Sequence, residues 1–208
     1  MIALVIKTFS SRAGRISSTN KKFLNLKSAC LINPEVRPKT TCPIVIDIGF
    51  GDAQSFTQDI LINKEYCFIG IEPYKKGFAR AVEFYEQERP ENLFLYNGDA
   101  REFFELIGYK ASFIRIHFPD PWPKKKHIKR RLISPNFLQI LEQKITNTGK
   151  IEIITDSKIY QEHIKTVLNE QKLFKKIDSF EISYEVSTFH KKALEKGHEI
   201  KRYVLTKV

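Results

Sequence analysis

Apolar residues gather along this chain in five short β-branched or aromatic runs: Ile44–Ile48, 66–71, Leu93–Tyr96, 113–118 and 150–155. Each suits a buried strand in length and composition. Between them the apolar positions change to helical spacing: Phe56, Ile60 and Leu61; Phe103, Phe104, Leu106 and Ile107; Phe137, Leu138 and Leu141; Ile159, Tyr160, Ile164, Val167 and Leu168. Ser134 and Pro135 open the third of these patterns as N-cap and first helical residue. Two more alternating runs, 177–184 and 200–206, predict a final strand pair linked by the polar, basic segment 187–198. Strand and helix in alternation, then two strands, predict an α/β fold. It is a doubly wound, mostly parallel seven-stranded sheet with helices on both faces and a C-terminal antiparallel pair.

Residues 7–40 break the pattern, being mixed Ser, Thr, Asn and basic residues with only a weak helical trace at Phe23, Leu24 and Leu26. The expectation is a basic, partly flexible N-terminal arm over 1–40, either a tail or a segment that orders on nucleic acid, and one domain over 41–208. A chain of 208 residues with 42% hydrophobic content suffices for one filled core. Charge sharpens the division. The formal net charge is +11, of which 1–40 contribute +7 and the block 124–131, with six Lys or Arg in eight residues, contributes +6. The rest is mildly acidic, so the basic segments suit a polyanion met on one face.

Cys30, Cys42 and Cys67 are widely spaced and form no CxxC pair, which predicts neither a disulfide framework nor a metal site and suits a reducing, cytoplasmic setting. The apolar start, residues 1–6, is too short for a signal segment, and no run approaches a membrane span. The expectation is a soluble monomer or homodimer.

Candidate chemistry collects where the predicted strands end. Gly49 and Gly51 follow the first strand, as glycines do in nucleotide-binding βα turns, although any tight turn uses them too. Asp47 lies inside the apolar run and must be either paired or near a ligand. Glu72 follows the second strand, 21 residues after Gly51. That spacing suits an acceptor for ribose hydroxyls, or else a carboxylate at a helix start. Asp99 fits a helix cap, an adenine contact, or both. After the fourth run comes Pro119-Asp120-Pro121-Trp122-Pro123, whose prolines favour extended geometry before each ring and restrict the aim of Asp120. Asp156 is placed at the fifth strand end as cap or crevice residue. Open α/β sheets bind ligands at this edge. The cationic block is either a solvated charge run or, with Trp122 and His127 interleaved, a phosphate-binding surface beside stacking aromatics.

These residues carry a resemblance. Phe118-Pro119-Asp120-Pro121-Trp122-Pro123-Lys124-Lys125, with His127, Lys129, Arg130 and Arg131, is similar to the FPDPWPKxRHxKRR signature of bacterial tRNA (guanine-N7)-methyltransferases. Ile48-Gly49-Phe50-Gly51, Gly70-Ile71-Glu72, Gly98-Asp99-Ala100, Thr155-Asp156, Gly197-His198, and Arg12, Gly14 and Arg15 of the arm extend it over nearly the whole chain. The resemblance implies a Rossmann-like methyltransferase sheet, S-adenosylmethionine as methyl donor and tRNA as partner. It implies that Asp47, Gly49, Gly51, Glu72, Asp99 and Asp120 line the cofactor site, with Asp120 also catalytic. Lys124, Asp156, Ser187 and His190 would contact substrate. Lys125, Lys126, His127, Lys129, Arg130, Arg131, Arg12 and Arg15 would hold RNA. The chain departs from the family pattern in two places: Asp47 stands where Glu is usual, and Ser187-Thr188-Phe189-His190 stands where TxFE is usual. Two other classes stay open on the residues alone. One is a nicotinamide-dependent oxidoreductase, for which the turn lacks the third glycine of GxGxxG. The other is an RNA-binding module with a retained fold, to which His190 gives weight.

Overall fold

Strands β1 (Ile44–Ile48) and β4 (Ala111–His117) lie side by side and parallel in the middle of a seven-stranded sheet. The computed structural model describes residues 7–9 and 15–208. All five residues of β1 are buried, which a parallel strand requires because helices cover both faces. Alternation then sorts its side chains. Ile44, Ile46 and Ile48 enter one core with α4 (Ala100–Leu106), α5 (Pro135–Lys144) and α6 (Lys158–Glu170). Val45 enters the other, with α2 (Gln54–Ile62) and α3 (Lys75–Glu88).

The chain steps outward from β1 through β2 (Cys67–Ile71) to β3 (Leu93–Tyr96), then returns across the sheet to β4 and on to β5 (Ile145–Thr155). Its winding reverses between β1 and β4, and there the diverging βα turns leave a crevice. β7 (Lys201–Lys207) runs antiparallel between β5 and β6 (Phe174–Ile177), giving the order β3-β2-β1-β4-β5-β7-β6. β1 and β3 have the expected bounds. β5 begins earlier than expected because Ile145 still pairs with Ala111, past an irregularity between Ala111 and Phe113.

The run 177–184 is not a strand beyond Ile177. Its alternation is met another way: Phe180 and Ile182 pack onto the α2/α3 core. Its backbone and that of the next residue bond to the α2 region, with Asn63 Nδ2 donating to Ser183 O at 3.0 Å and Glu185 N donating to Asp59 Oδ1 at 2.6 Å. The linking segment, expected to lack regular structure, contains α7 (Thr188–Glu195), N-capped by Ser187.

Part of the expected arm is built into the domain. Ser17 caps α1 (Ser18–Leu24), and Phe23, Leu24 and Leu26 pack against the α2/α3 core. Cys30 is fully buried, and the chain there bonds to Leu95 of β3, which covers that sheet edge. Among the described residues, no helix is long and apolar enough to cross a membrane.

Candidate active site

β1 runs into a turn where Gly49 (φ 79°) and Gly51 (φ 69°) are left-handed, a conformation that a side chain opposes. A glycine from another element seats the turn: a Cβ on Gly77 of α3 would fall 1.6 Å from the Gly51 carbonyl oxygen. Glu72, just past β2, braces the same turn from beneath. Its Oε2 accepts from Gly51 N at 2.6 Å and its Oε1 from Tyr74 N at 2.7 Å. Burial pushes the Glu72 carboxyl up to about 7, with Asp47 and Asp120 adding to the rise and the two N–H bonds opposing it.

Gly49, Gly51, Glu72, Phe118, Asp120 and Leu132 line a cavity of about 480 Å³ that Thr8, Phe9 and Phe189 also border. A smaller one, about 40 Å³, adjoins it at Gly49, Gly51 and Phe118 and reaches Asp47, Arg115, Ser187 and His190. Asp47 is paired. Arg115 Nε donates to Asp47 Oδ2 at 2.9 Å, and Nη2 bonds both Asp47 and Asp59, the latter at 2.7 Å. The parallel register sets Asp47 directly beside Arg115. Burial raises the Asp59 carboxyl to about 6 against the pull of Arg115. The larger cavity, which Glu72 and Asp120 share, is walled without Asp47.

The turn carrying Asp120 differs from expectation in its backbone. Phe118 (φ 49°) and Trp122 (φ 44°), each preceding a proline, are left-handed rather than extended. Such strain persists where surrounding contacts determine it. Phe118 N donates to Ile154 O at 2.7 Å, and Trp122 Nε1 donates to Thr8 O at 2.8 Å. Arg131 donates to Pro121 O at 3.0 Å and to Trp122 O at 3.3 Å. Arg131 is only 5% exposed and clamps the turn from inside, apart from the outward cations. The rest of the block, Lys125–Arg130, is a 3-10 helix. Lys124, Lys125, Lys126 and Lys129 are exposed, while Arg130 stacks on Trp122 at 4.2 Å and His127 meets that ring edge-on.

Asp99 caps α4 by accepting from Arg101 N, and its Oδ2 accepts from Thr8 N and Oγ1; the cavity wall beside it is Ala100. Ser187 caps α7 by accepting from His190 N. His190 lies between Phe118 and Tyr184, and burial and His117 lower its pKa. Asp156 pairs with His198 Nδ1 at 2.8 Å, and it and Lys124 lie outside both cavities. Arg15 is exposed, and Arg12 lies outside the described residues. Among the described residues, no three His, Cys, Asp or Glu are grouped to hold a metal ion.

Known structures share this architecture. An rRNA methylase from Streptococcus thermophilus superposes with a TM-score of 0.54 at 9% identity, covering 80% of this chain and 87% of that one. TrmN from Thermus thermophilus gives 0.56 at 13%, covering 80% and 44%. Residues 41–203 match the family described as "Putative methyltransferase". A tRNA (guanine-N(7)-)-methyltransferase of Wolbachia pipientis wMel is 35% identical over 162 residues, 76% of this chain and 72% of that protein. One from Nitrosococcus oceani is 34% identical over 188 residues, 83% and 77%. The chain belongs to the tRNA (guanine-N7)-methyltransferase family. This sets aside the oxidoreductase alternative. As a family methyltransferase it uses S-adenosylmethionine, and the crevice fits that cofactor. The larger cavity falls within the roughly 300–1,000 Å³ of small-molecule sites. Its glycine turn presents bare backbone, and of its three acids, Asp52, Glu72 and Asp120, the last two suit ribose hydroxyls and a sulfonium cation.

Proposed function

We propose that this protein transfers a methyl group from S-adenosylmethionine to N7 of a guanine in tRNA, by the family resemblance the variable-loop guanine, and that it works in the cytoplasm. One observation carries the reading beyond family membership. A single clamped turn places Asp120 in the wall of the cofactor-sized cavity and leads directly into the exposed cations Lys124 to Lys126 and Lys129. Chemistry and RNA capture are thereby joined rigidly.

When bound, S-adenosylmethionine supplies a methyl on a sulfonium, ready for in-line transfer. Guanine N7 carries a lone pair and no proton, so the protein needs no strong base and acts chiefly by alignment. The Gly51 and Glu72 brace shapes the cofactor side of the crevice. Positive charge passes to the purine as the bond forms, and the Asp120 carboxylate at the cavity wall stabilises that charge. A stacked base cannot reach such a wall, so the guanine arrives unpaired or extruded; Phe118 and Phe189 border the cavity it enters. Lys124, Lys125, Lys126 and Lys129 hold phosphates, with Arg15 and Arg130 as further cations.

The test is purified protein with methyl-labelled S-adenosylmethionine and unmodified tRNA. Nuclease digestion is expected to return the label as 7-methylguanosine. Label on another atom, or no transfer, overturns the proposal.

A further inference from the structure

His117 ends β4, three residues before Asp120, and lines both cavities. Behind it lies an acid that the mechanism above leaves unused. Glu152 of β5 is fully buried; its Oε2 is 2.7 Å from His117 Nε2, and its Oε1 accepts from Arg202 Nε at 2.6 Å. Burial alone would raise the Glu152 pKa, but the bonds from His117 and Arg202 outweigh it and hold the carboxyl below its usual range. Glu152 is therefore an anion with each oxygen engaged.

An ionised carboxylate only accepts, so the proton of this contact sits on His117 Nε2. In the neutral ring Nδ1 then carries a lone pair, and it is the nitrogen that Glu152 does not engage. Tyr184 meets the imidazole edge-on at 4.9 Å and fixes its plane from the other side. Nearby, Arg115 is paired with the two carboxylates of Asp47 and Asp59, and His190 is shifted toward its neutral form. The result is an oriented acceptor, backed by a buried anion, in the space shared with Asp120.

A guanine held by its N7 side presents donors at its far edge, N1–H and the exocyclic amino group, whereas adenine has an acceptor at N1. We propose that His117 is the specificity-determining acceptor for that donor edge, with Glu152 as its positioning residue and Arg202 as the anchor. The proposal rests on the methyl-transfer reading above and deepens it. As N7 is alkylated the purine becomes cationic and its N–H groups become stronger donors. An acceptor supported by Glu152 therefore binds the transition state more tightly than the ground state.

The experiment uses full-length protein and splint-ligated tRNA. The guanosine that the wild type methylates is replaced by inosine, which lacks the amino group, or by 2-aminopurine, which lacks N1–H. At least one analogue is expected to lower wild-type kcat/KM by about tenfold or more. The same analogue is expected to cost His117→Phe no more than about twofold, the signature of a lost pairwise contact. His117→Gln, which restores an amide acceptor, recovers part of the discrimination and guards against a misfolded Phe variant. Glu152→Gln weakens discrimination while affinity for S-adenosylhomocysteine stays within about twofold. Equal analogue penalties in the wild type and in both His117 variants overturn the proposal. A wild type that methylates no guanosine at N7 overturns the methyl-transfer reading, and this inference with it.

Discussion

If Glu72 holds the cofactor ribose as proposed, it is expected to make cofactor binding depend on pH. Its folded pKa of about 7 lies above the ordinary 4.5, so folding favours the protonated form. The stability it contributes is fully present below about 4.5 and is lost as pH rises through about 7. Keeping it ionised in the free protein costs roughly 3 kcal/mol relative to an exposed glutamate at the same pH above both values. A ligand whose ribose hydroxyls donate to the carboxylate requires that ionised form, so binding expels the proton. Affinity for S-adenosylhomocysteine is therefore expected to fall about fivefold from pH 7 to pH 6, and to level off above about pH 8. Titration calorimetry in two buffers of different ionisation enthalpy measures both affinity and protons released, the latter approaching one per ligand near pH 6. His117, Asp120 and Lys192 border the same cavity, and a parallel titration of Glu72→Gln, flat over this window, removes their share. An affinity constant from pH 6 to 8 in the wild type, or an equal slope in Glu72→Gln, refutes the reasoning.

Asp120→Ala is expected to lower kcat by about 10²- to 10³-fold while the Kd for tRNA stays within about twofold. Replacing Lys124, Lys125 and Lys126 with Ala weakens tRNA binding instead and lowers the slope of log affinity against log salt by about 2–3; equal kinetic and binding profiles for the two variants would contradict this division. Arg131→Ala removes donors from two carbonyls of the Asp120 turn, so thermal unfolding should show a loss of about 1–3 kcal/mol with the salt slope unchanged. An unchanged Tm with a lower slope would return Arg131 to the phosphate contacts. Gly77→Ala places a Cβ 1.6 Å from the Gly51 carbonyl and forces the glycine turn to move. Calorimetry should then show at least about tenfold weaker S-adenosylhomocysteine binding, and wild-type affinity would show that the turn is not seated on Gly77.

The centre of the sheet is legible in the sequence because two independent signals agree there. In β1 and β3 an apolar run and a following glycine or acid mark the same boundary, and both strands have the bounds expected of them. Toward the C terminus only one signal remains. Alternation over 177–184 reports which side chains are buried, and Phe180 and Ile182 are, but it does not report what the backbone bonds to. Asn63 and Asp59 of the α2 region supply partners that a neighbouring strand would otherwise provide. Helix α7 leaves still less trace, since it is only eight residues long and Ala193 is its only buried residue.

The same limit governs the site. Acids at strand ends are visible because topology alone brings them to one edge, and Glu72 and Asp120 do share a cavity wall. Charges inside strands, Asp47, Arg115 and Glu152, are visible singly as costs without partners. Their meaning depends on register, which pairs Asp47 with Arg115 and sets Glu152 one strand further on, beside Arg115. The cationic block shows the opposite case, since a count of charge treats its members alike. The fold divides them: Arg131 turns inward to clamp the strained turn, Arg130 lies on Trp122, and the lysines face out. The clamp and the outward lysines lie on one short segment, which ties the lysine surface to the Asp120 turn. Under the proposed function, positioning of the guanine and capture of the tRNA are thus one mechanical property of residues 118–131.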